Sequence, residues 1–223
     1  MGKTDPAFGG FPADCERFLA EVARNNDKVW FDANRKRFEQ NVQAPALAFV
    51  RAMAPRLATI SPELTADDRK AGGSMMRFFR DTRFSKDKSP YATHVSFQFA
   101  HRAGKGHVAP GFYARIEPGK LTVGTGLWQP APPDALRIRT YLAEHAAEWT
   151  RARDDRAFRA LFPELGGESL KRVPKEFPAD HPLADKPELR LRDCLDTPHI
   201  APSAKYGVRH LLDFAARRGT RRV

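Results

Sequence analysis

Within fifteen residues the sequence sets Arg77, Arg80, Arg83, Lys86 and Lys88 beside Asp81, Asp87 and Tyr91. Guanidinium groups present rigid forks suited to bidentate pairing with phosphate or carboxylate, and a lysine adds a compact charge. A carboxylate can orient one fork and leave others free, while a phenol both donates and accepts. These types can clamp a small anion, with Arg77, Arg80, Arg83, Asp87, Lys88 and Tyr91 as the binding set. Asp81 and Tyr91 are the candidates for proton transfer. Phe78, Phe79 and Phe84 lie among the charges, which ties the segment to a core. The same residues also fit a purely structural role, a salt-bridge network that fastens a loop to a sheet. Five cations against two carboxylates leave positive charge over, and that surplus favours binding.

The surplus is local. The 223-residue chain carries a net +11, with nine Lys/Arg against two Asp in 69–105 and six against one in 205–223, so the rest is close to neutral. Concentrated cations attract phosphates or nucleic acid. An apolar fraction of 41% with 29% charged residues is that of an ordinary globular protein. No apolar run approaches a membrane span, the N-terminal residues lack an apolar signal region, and Pro6 stands where a myristoylation signal needs Ser or Thr. Cys15 and Cys194 are far apart and form no CxxC, against both a disulfide framework and a cysteine-rich metal site. The expectation is a cytoplasmic protein with no cofactor.

The elements that must position the cluster follow from periodicity. Asp14 is placed to cap a first helix through Phe18, Leu19 and Val22, ending near Asn25-Asn26. A second starts around Asp27 and carries Trp30, Phe31, Asn34, Phe38 and Val42. Pro45 opens a third, which Pro55 should kink or end. The period then becomes two: Ser74–Arg80 reads as a strand, and Thr93–His101 sets Val95, Phe97 and Phe99 against His94, Ser96 and Gln98. Phe112, Ala114 and Ile116 alternate with Tyr113, Arg115 and Glu117 up to a type II turn at Pro118-Gly119, and Leu121, Val123 and Thr125 return. A helix follows from Pro132-Pro133-Asp134, with Leu136, Ile138, Tyr141 and Leu142 as its apolar residues, and then a second helical stretch through Trp149 and Phe158. Residues 163–202 are Pro-rich, with a short strand at Leu189–Leu191, and a last helix starts at Ser203 or Lys205. This predicts one α+β domain over 1–223, an antiparallel sheet of about four strands in 74–126 flanked by N-terminal helices (12–60) and C-terminal ones (132–223). Asp81-Thr82 then begins the loop that leaves one strand for another.

Other signals are weaker. Gly124-Thr-Gly126 lacks the third glycine of a dinucleotide fingerprint and fits a close backbone approach near a strand end. His94, His101, His107 and His181 show no metal-ligand spacing, so no metal is expected. Asn34 and Arg35, within one helical turn of Trp30, can border the site. Arg217-Arg218 and Arg221-Arg222 read as a frayed basic end rather than a nucleic-acid tail.

The pattern Arg77-x-x-Arg80-Asp81-x-Arg83-Phe84, continuing to Asp87-Lys88-x-x-Tyr91, resembles the signature of a widespread uncharacterised bacterial family that also occurs in fungi. The likeness extends to Asn25-Asn26, Trp30-Phe31 and Asn34-Arg35, to Gly111-Phe112-Tyr113, and to Gly124-x-Gly126-Leu127-Trp128. It includes Leu170-x-Arg172-x-Pro174-Lys175-x-Phe177 with His181-Pro182, departing at Glu176, where the pattern has Gly. The resemblance implies a chain of this length and marks the boundaries of the site without implying a substrate.

Three functions follow. The first is a protein, enzyme or not, that binds a small phosphorylated or nucleotide-like anion. The second is a nucleic-acid-binding module using the cluster and the basic tail, against which the missing RRM, KH and helix-turn-helix signatures count. The third is a structural or partner-binding protein whose motif only locks the fold. The expectation favours the first.

Overall fold

In the computed structural model, residues 8–102, 111–127, 130–156, 159, 170–172, 174–175, 177, 194–196 and 199–200 are described. The chain divides into two compact units: Met1–Arg102, Tyr113–Val123 and His199–Val223 form one, Ala103–Phe112 and Gly124–Pro198 the other. Helices and an antiparallel sheet together make the fold α+β, as the periodicity predicts.

Helices come first: α1 (Ala13–Arg24), α2 (Lys28–Ala33), α3 (Arg35–Phe38) and α4 (Ala44–Ile60), the last two joined by a π-helical turn at Glu39–Gln43. Asp27 caps α2 by accepting from the Trp30 amide at 2.9 Å. Asp14 does not cap α1, which starts behind Pro12; its carboxylate is drawn instead to Arg37. Asn34 interrupts the second helix, and the run from Arg35 to Ile60 is continuous. Pro45 sits in the first turn of α4 as expected, but Pro55 does not end that helix, which runs five residues further. Any side chain at Gly73 would collide with the carbonyls of Asp67 and Arg69, so the loop after α4 can close only on glycine there.

The sheet order is β1 (Val95–Phe99), β2 (Gly111–Glu117), β3 (Lys120–Leu127), β4 (Cys194–Asp196), with β5 (His199–Ile200) also pairing with β3. Val95, Phe97 and Phe99 are buried while Gln98 is exposed, and Ala114 and Ile116 are buried on β2, as the alternation predicts; Ser96, on the expected polar side, is buried as well. Gly119 has φ 70°, the conformation that the third position of a type II turn requires, so Pro118-Gly119 closes the hairpin.

Ser74–Arg80 does not form a regular strand. Its two ends pair with 90–98 in registers that differ by two residues. Met76 N–H donates to Ser96 O (2.8 Å) and Gln98 N–H to Ser74 O (2.8 Å) at one end. At the other, Ala92 N–H donates to Phe78 O (2.8 Å) and Arg80 N–H to Pro90 O (2.9 Å). Thr93, His94 and Val95 therefore bulge opposite Arg77, a device that bends a strand and re-aims a side chain.

The first unit packs around aromatic rings. Phe31, fully buried, stacks on Tyr91 at 4.0 Å and touches Phe18, Phe38, Phe78 and Phe79. Phe49, Phe97 and Phe99 form a second group. Burying one such side chain contributes about 1.5–3 kcal/mol, so these two groups dominate the packing. Of the three phenylalanines in the charged segment, Phe78 is buried, Phe79 is 41% exposed and Phe84 95% exposed. Phe79 still lays its ring against Phe31 and Tyr91, so two of the three expected anchors hold and Phe84 does not. In the second unit, α5 (Pro132–Glu144) is followed by α6 (Ala146–Arg153). On α5 the buried residues are Ala135 and Arg139, whereas Tyr141 of the expected apolar set is exposed. Trp128, Phe158, Glu176, His181, Leu189–Leu191, the final helix and the basic tail lie outside the described residues.

Candidate functional site

The hairpin loop between Arg80 and Tyr91 folds on its own charges. Asp81 Oδ1 accepts from the Arg83 amide (3.2 Å), and the Arg83 guanidinium grips the same carboxylate through Nε (3.0 Å) and Nη2 (2.7 Å). That fork is a turn-closing device, because a short Asp side chain reaches the amide two residues on. It occurs a second time at Asp67 and Arg69, outside the motif, with the same three contacts. Asp87 repeats the amide contact with Ser89 (2.9 Å) and takes Arg80 Nη1 at 2.5 Å, while Arg80 Nη1 also donates to Ser89 O. The Ser89 hydrogen bonds, and then Arg80, pull the Asp87 carboxyl down to about 2; Arg83 lowers that of Asp81. Lys88 Nζ donates to the carbonyl of Thr82 (3.0 Å). Arg77 is exposed and has no ion pair or hydrogen bond among the described residues.

Tyr91 is 4% exposed and anchored at both ends. Its backbone N–H donates to Asn26 Oδ1 (3.0 Å) and its carbonyl accepts from Asn26 Nδ2 (2.9 Å). Burial, and then Asp32, raises the phenol pKa. Arg35 pairs with Asp32 (2.5 Å) and lies over the Phe31 ring, which brings it to the Tyr91 side of the core. Asn34 spends its amide on the Trp30 carbonyl (2.9 Å). The expected residues therefore fall into two groups, the loop (Arg80, Asp81, Arg83, Asp87, Lys88) and the Phe31 neighbourhood (Arg35, Tyr91).

A third grouping is not in the expected set. His94, placed by the bulge just before β1, lies within electrostatic reach of Arg80 and of Arg115 and Glu117 on the neighbouring β2. Arg115 Nη2 pairs with Glu117 at 2.7 Å, yet its Nε and the Nδ1 of His94 are enclosed without a hydrogen-bond partner among the described residues. Burial, then Arg115 and Arg80, hold the imidazole below its ordinary value of 6.5 against the opposing pull of Glu117. On the same strands Ser96 Oγ and Tyr113 Oη share a hydrogen bond of 3.1 Å. The alternation of 93–101 and of β2 carried this signal, since it sets His94 and Ser96, and Tyr113, Arg115 and Glu117, opposite the apolar residues. What sequence lacked was the strand adjacency that lines them up.

The model of a conserved hypothetical protein family, DUF2461, matches residues 14–197. The chain belongs to that family. The match takes in the motif loop, the bulge at His94 and β2, so all three groupings are part of the DUF2461 region. No curated protein and no solved structure matches the chain. Among the described residues of this DUF2461 protein no His/Cys/Asp/Glu cluster is arranged to hold a metal ion. Cys15 is buried, and burial pushes its thiol up to about 12, where it is inert as a nucleophile. A shallow depression of about 290 Å³ on α5, lined by Arg137, Tyr141 and Leu142, holds none of the motif residues.

Proposed function

We propose that this DUF2461 protein binds a small anionic ligand on the polar sheet face beside the motif hairpin, with Arg80, His94 and Arg115 facing the ligand. The observation that carries the reading is the pair of enclosed nitrogens, His94 Nδ1 just before β1 and Arg115 Nε on β2, that have no partner among the described residues. A buried polar group left without a partner costs about 1–3 kcal/mol, so two such nitrogens favour a partner from outside the described residues. Two guanidinium groups against Glu117 and Asp87, each of which meets only one of them, leave donors over and select an anion. Arg80 keeps Nε and Nη2 for that purpose while Asp87 and Ser89 hold its Nη1. In this reading the loop forks position Arg80, and the exposed Arg77 and Lys88 add long-range attraction.

The test is a thermal-shift screen of phosphorylated metabolites, nucleotides and carboxylates on wild type, Arg115→Gln and Arg83→Ala in parallel. An anion that stabilises wild type and Arg83→Ala alike is expected to act about tenfold more weakly on Arg115→Gln. Equal response of all three variants would remove the sheet face from consideration. Binding of DNA or RNA that weakens steeply with salt would favour the nucleic-acid module instead.

A further inference from the structure

We infer that the outer edge of the 75–79 arm takes up an extended, acidic segment of another protein as an added β-strand, with Arg77 meeting its carboxylates. This surface is separate from the anion site on the sheet face, and neither depends on the other.

The hydrogen bonds that hold this arm to 90–98 fix which way its backbone points. Met75 stands opposite Phe97, and Phe79 opposite Tyr91. At both positions the cross-strand bonds belong to the neighbours: Ser74 O and Met76 N–H at one end, Phe78 O and Arg80 N–H at the other. In an antiparallel pair, the residues between such bonds turn their own N–H and C=O to the far side. The backbones of Met75 and Phe79 therefore face away from the hairpin. Among the described residues neither they nor Arg77 makes a hydrogen bond. Across the hairpin the outward groups of Tyr91 are taken by Asn26, whereas no described side chain does this for Phe79. Unpaired backbone of this kind is a template for another strand.

The side chains along the arm match that use. Met76 (46% exposed), Phe79 and Phe84 are three of the large apolar residues left exposed in the described structure, and all lie within 76–84. Charge then names the occupant. Asp81 is taken by Arg83 and Asp87 by Arg80, so Arg77, Lys86 and Lys88 are the cations of 77–88 that pair with no carboxylate among the described residues. A second copy of this chain fits poorly. The antiparallel register that pairs Met75 with Phe79 sets Arg77 directly against Arg77, and like charges so placed are destabilising. A segment carrying Asp or Glu brings the opposite sign to the same position. Main-chain bonds supply affinity in strand addition, and Met76 and Phe79 give the segment's apolar residues something to cover.

The test uses the full chain and a dye-labelled peptide of about ten residues alternating Glu with Val, the length of a long strand. Beside it stand a Lys/Val counterpart and a Glu/Val peptide whose central amides are methylated. By fluorescence anisotropy the Glu/Val peptide should bind, and the other two should bind at least about tenfold more weakly. Arg77→Glu, a change on an exposed side chain, should weaken the Glu/Val peptide by about the same factor while the melting temperature holds. Hydrogen exchange at the Phe79 amide should slow when that peptide is bound, which charge attraction alone would not cause. Binding that is indifferent to methylation, or that leaves the Phe79 amide unprotected, would overturn strand addition. Equal affinity for the Glu/Val and Lys/Val peptides, or no binding of either, would overturn the acidic occupant. Protection of the same amide by dimerisation without peptide, or by a single-stranded oligonucleotide in place of the peptide, would put a different occupant there and overturn the inference as well.

Discussion

In the helical layer, Arg37 is saturated: its guanidinium meets Asp14 at 2.7 Å through both Nε and Nη2, and Glu21 at 2.6 and 3.0 Å, while Asn41 from the π-helical turn adds a 2.8 Å bond to Asp14. On the sheet face, Arg115 meets one carboxylate and keeps an enclosed N–H unpaired, next to a histidine in the same condition. Both are part-buried arginines among acidic residues from the same unit. The first has its geometry completed by residues 14, 21 and 41 and fastens three helical segments together. The second is left incomplete. Saturation marks a clasp; incompleteness marks a place built for something else.

The clasp at Arg37 is expected to carry the largest share of stability. Arg37→Ala removes the centre of the Asp14–Glu21 network and strands two carboxylates, so it should cost about 3 kcal/mol in urea unfolding while leaving anion binding intact. Next is acid. Asp14 is held at about 2, against 3.8 when free, chiefly by Arg37. A carboxylate with a lowered folded-state pKa stabilises the protein above its unfolded value, and that contribution disappears as pH falls from about 4 to about 2. The drop in melting temperature across that window should be smaller in Arg37→Ala than in wild type. Third, Arg115→Gln should weaken the bound anion by about tenfold, measured by calorimetry, with a stability change below roughly 1 kcal/mol. The smallest effect belongs to the loop: Arg83 and Asp81 are largely exposed, and Arg83→Ala should shift the unfolding midpoint by no more than about 0.5 kcal/mol. A large effect of Arg83→Ala on both folding and ligand would reverse the roles assigned here to loop and sheet.

What could be read from sequence was what is decided locally. The Pro118-Gly119 turn needs only two residues with the right backbone preferences, and the Val95, Phe97, Phe99 alternation needs only a face to bury. The charged segment was found because its residues are neighbours in sequence, and its forks close over two positions, Asp81 to Arg83 and Asp87 to Ser89. The strand expected at Ser74–Arg80 failed because a bulge in its partner shifts the register, and no periodicity within 74–80 records that. Asp14 stood at a capping position but found a guanidinium 23 residues away, a stronger partner than an amide. The Arg80, His94, Arg115 row depends on strands separated by a stretch of chain, so its members looked like ordinary non-core strand residues.

The Asn26 side chain has a consequence for how the sheet meets the outside. Phe79 pairs with Tyr91, but the cross-strand bonds there come from Arg80 and Ala92, so the N–H and C=O of Tyr91 point outward from the hairpin. An open edge of that kind is where a second chain adds a strand. Asn26 fills it with one primary amide, which mimics the donor and acceptor of a peptide group at 3.0 and 2.9 Å. A helix-connecting loop thus does the work of a neighbouring strand for a single residue pair, and intermolecular β-pairing finds no free backbone at Tyr91.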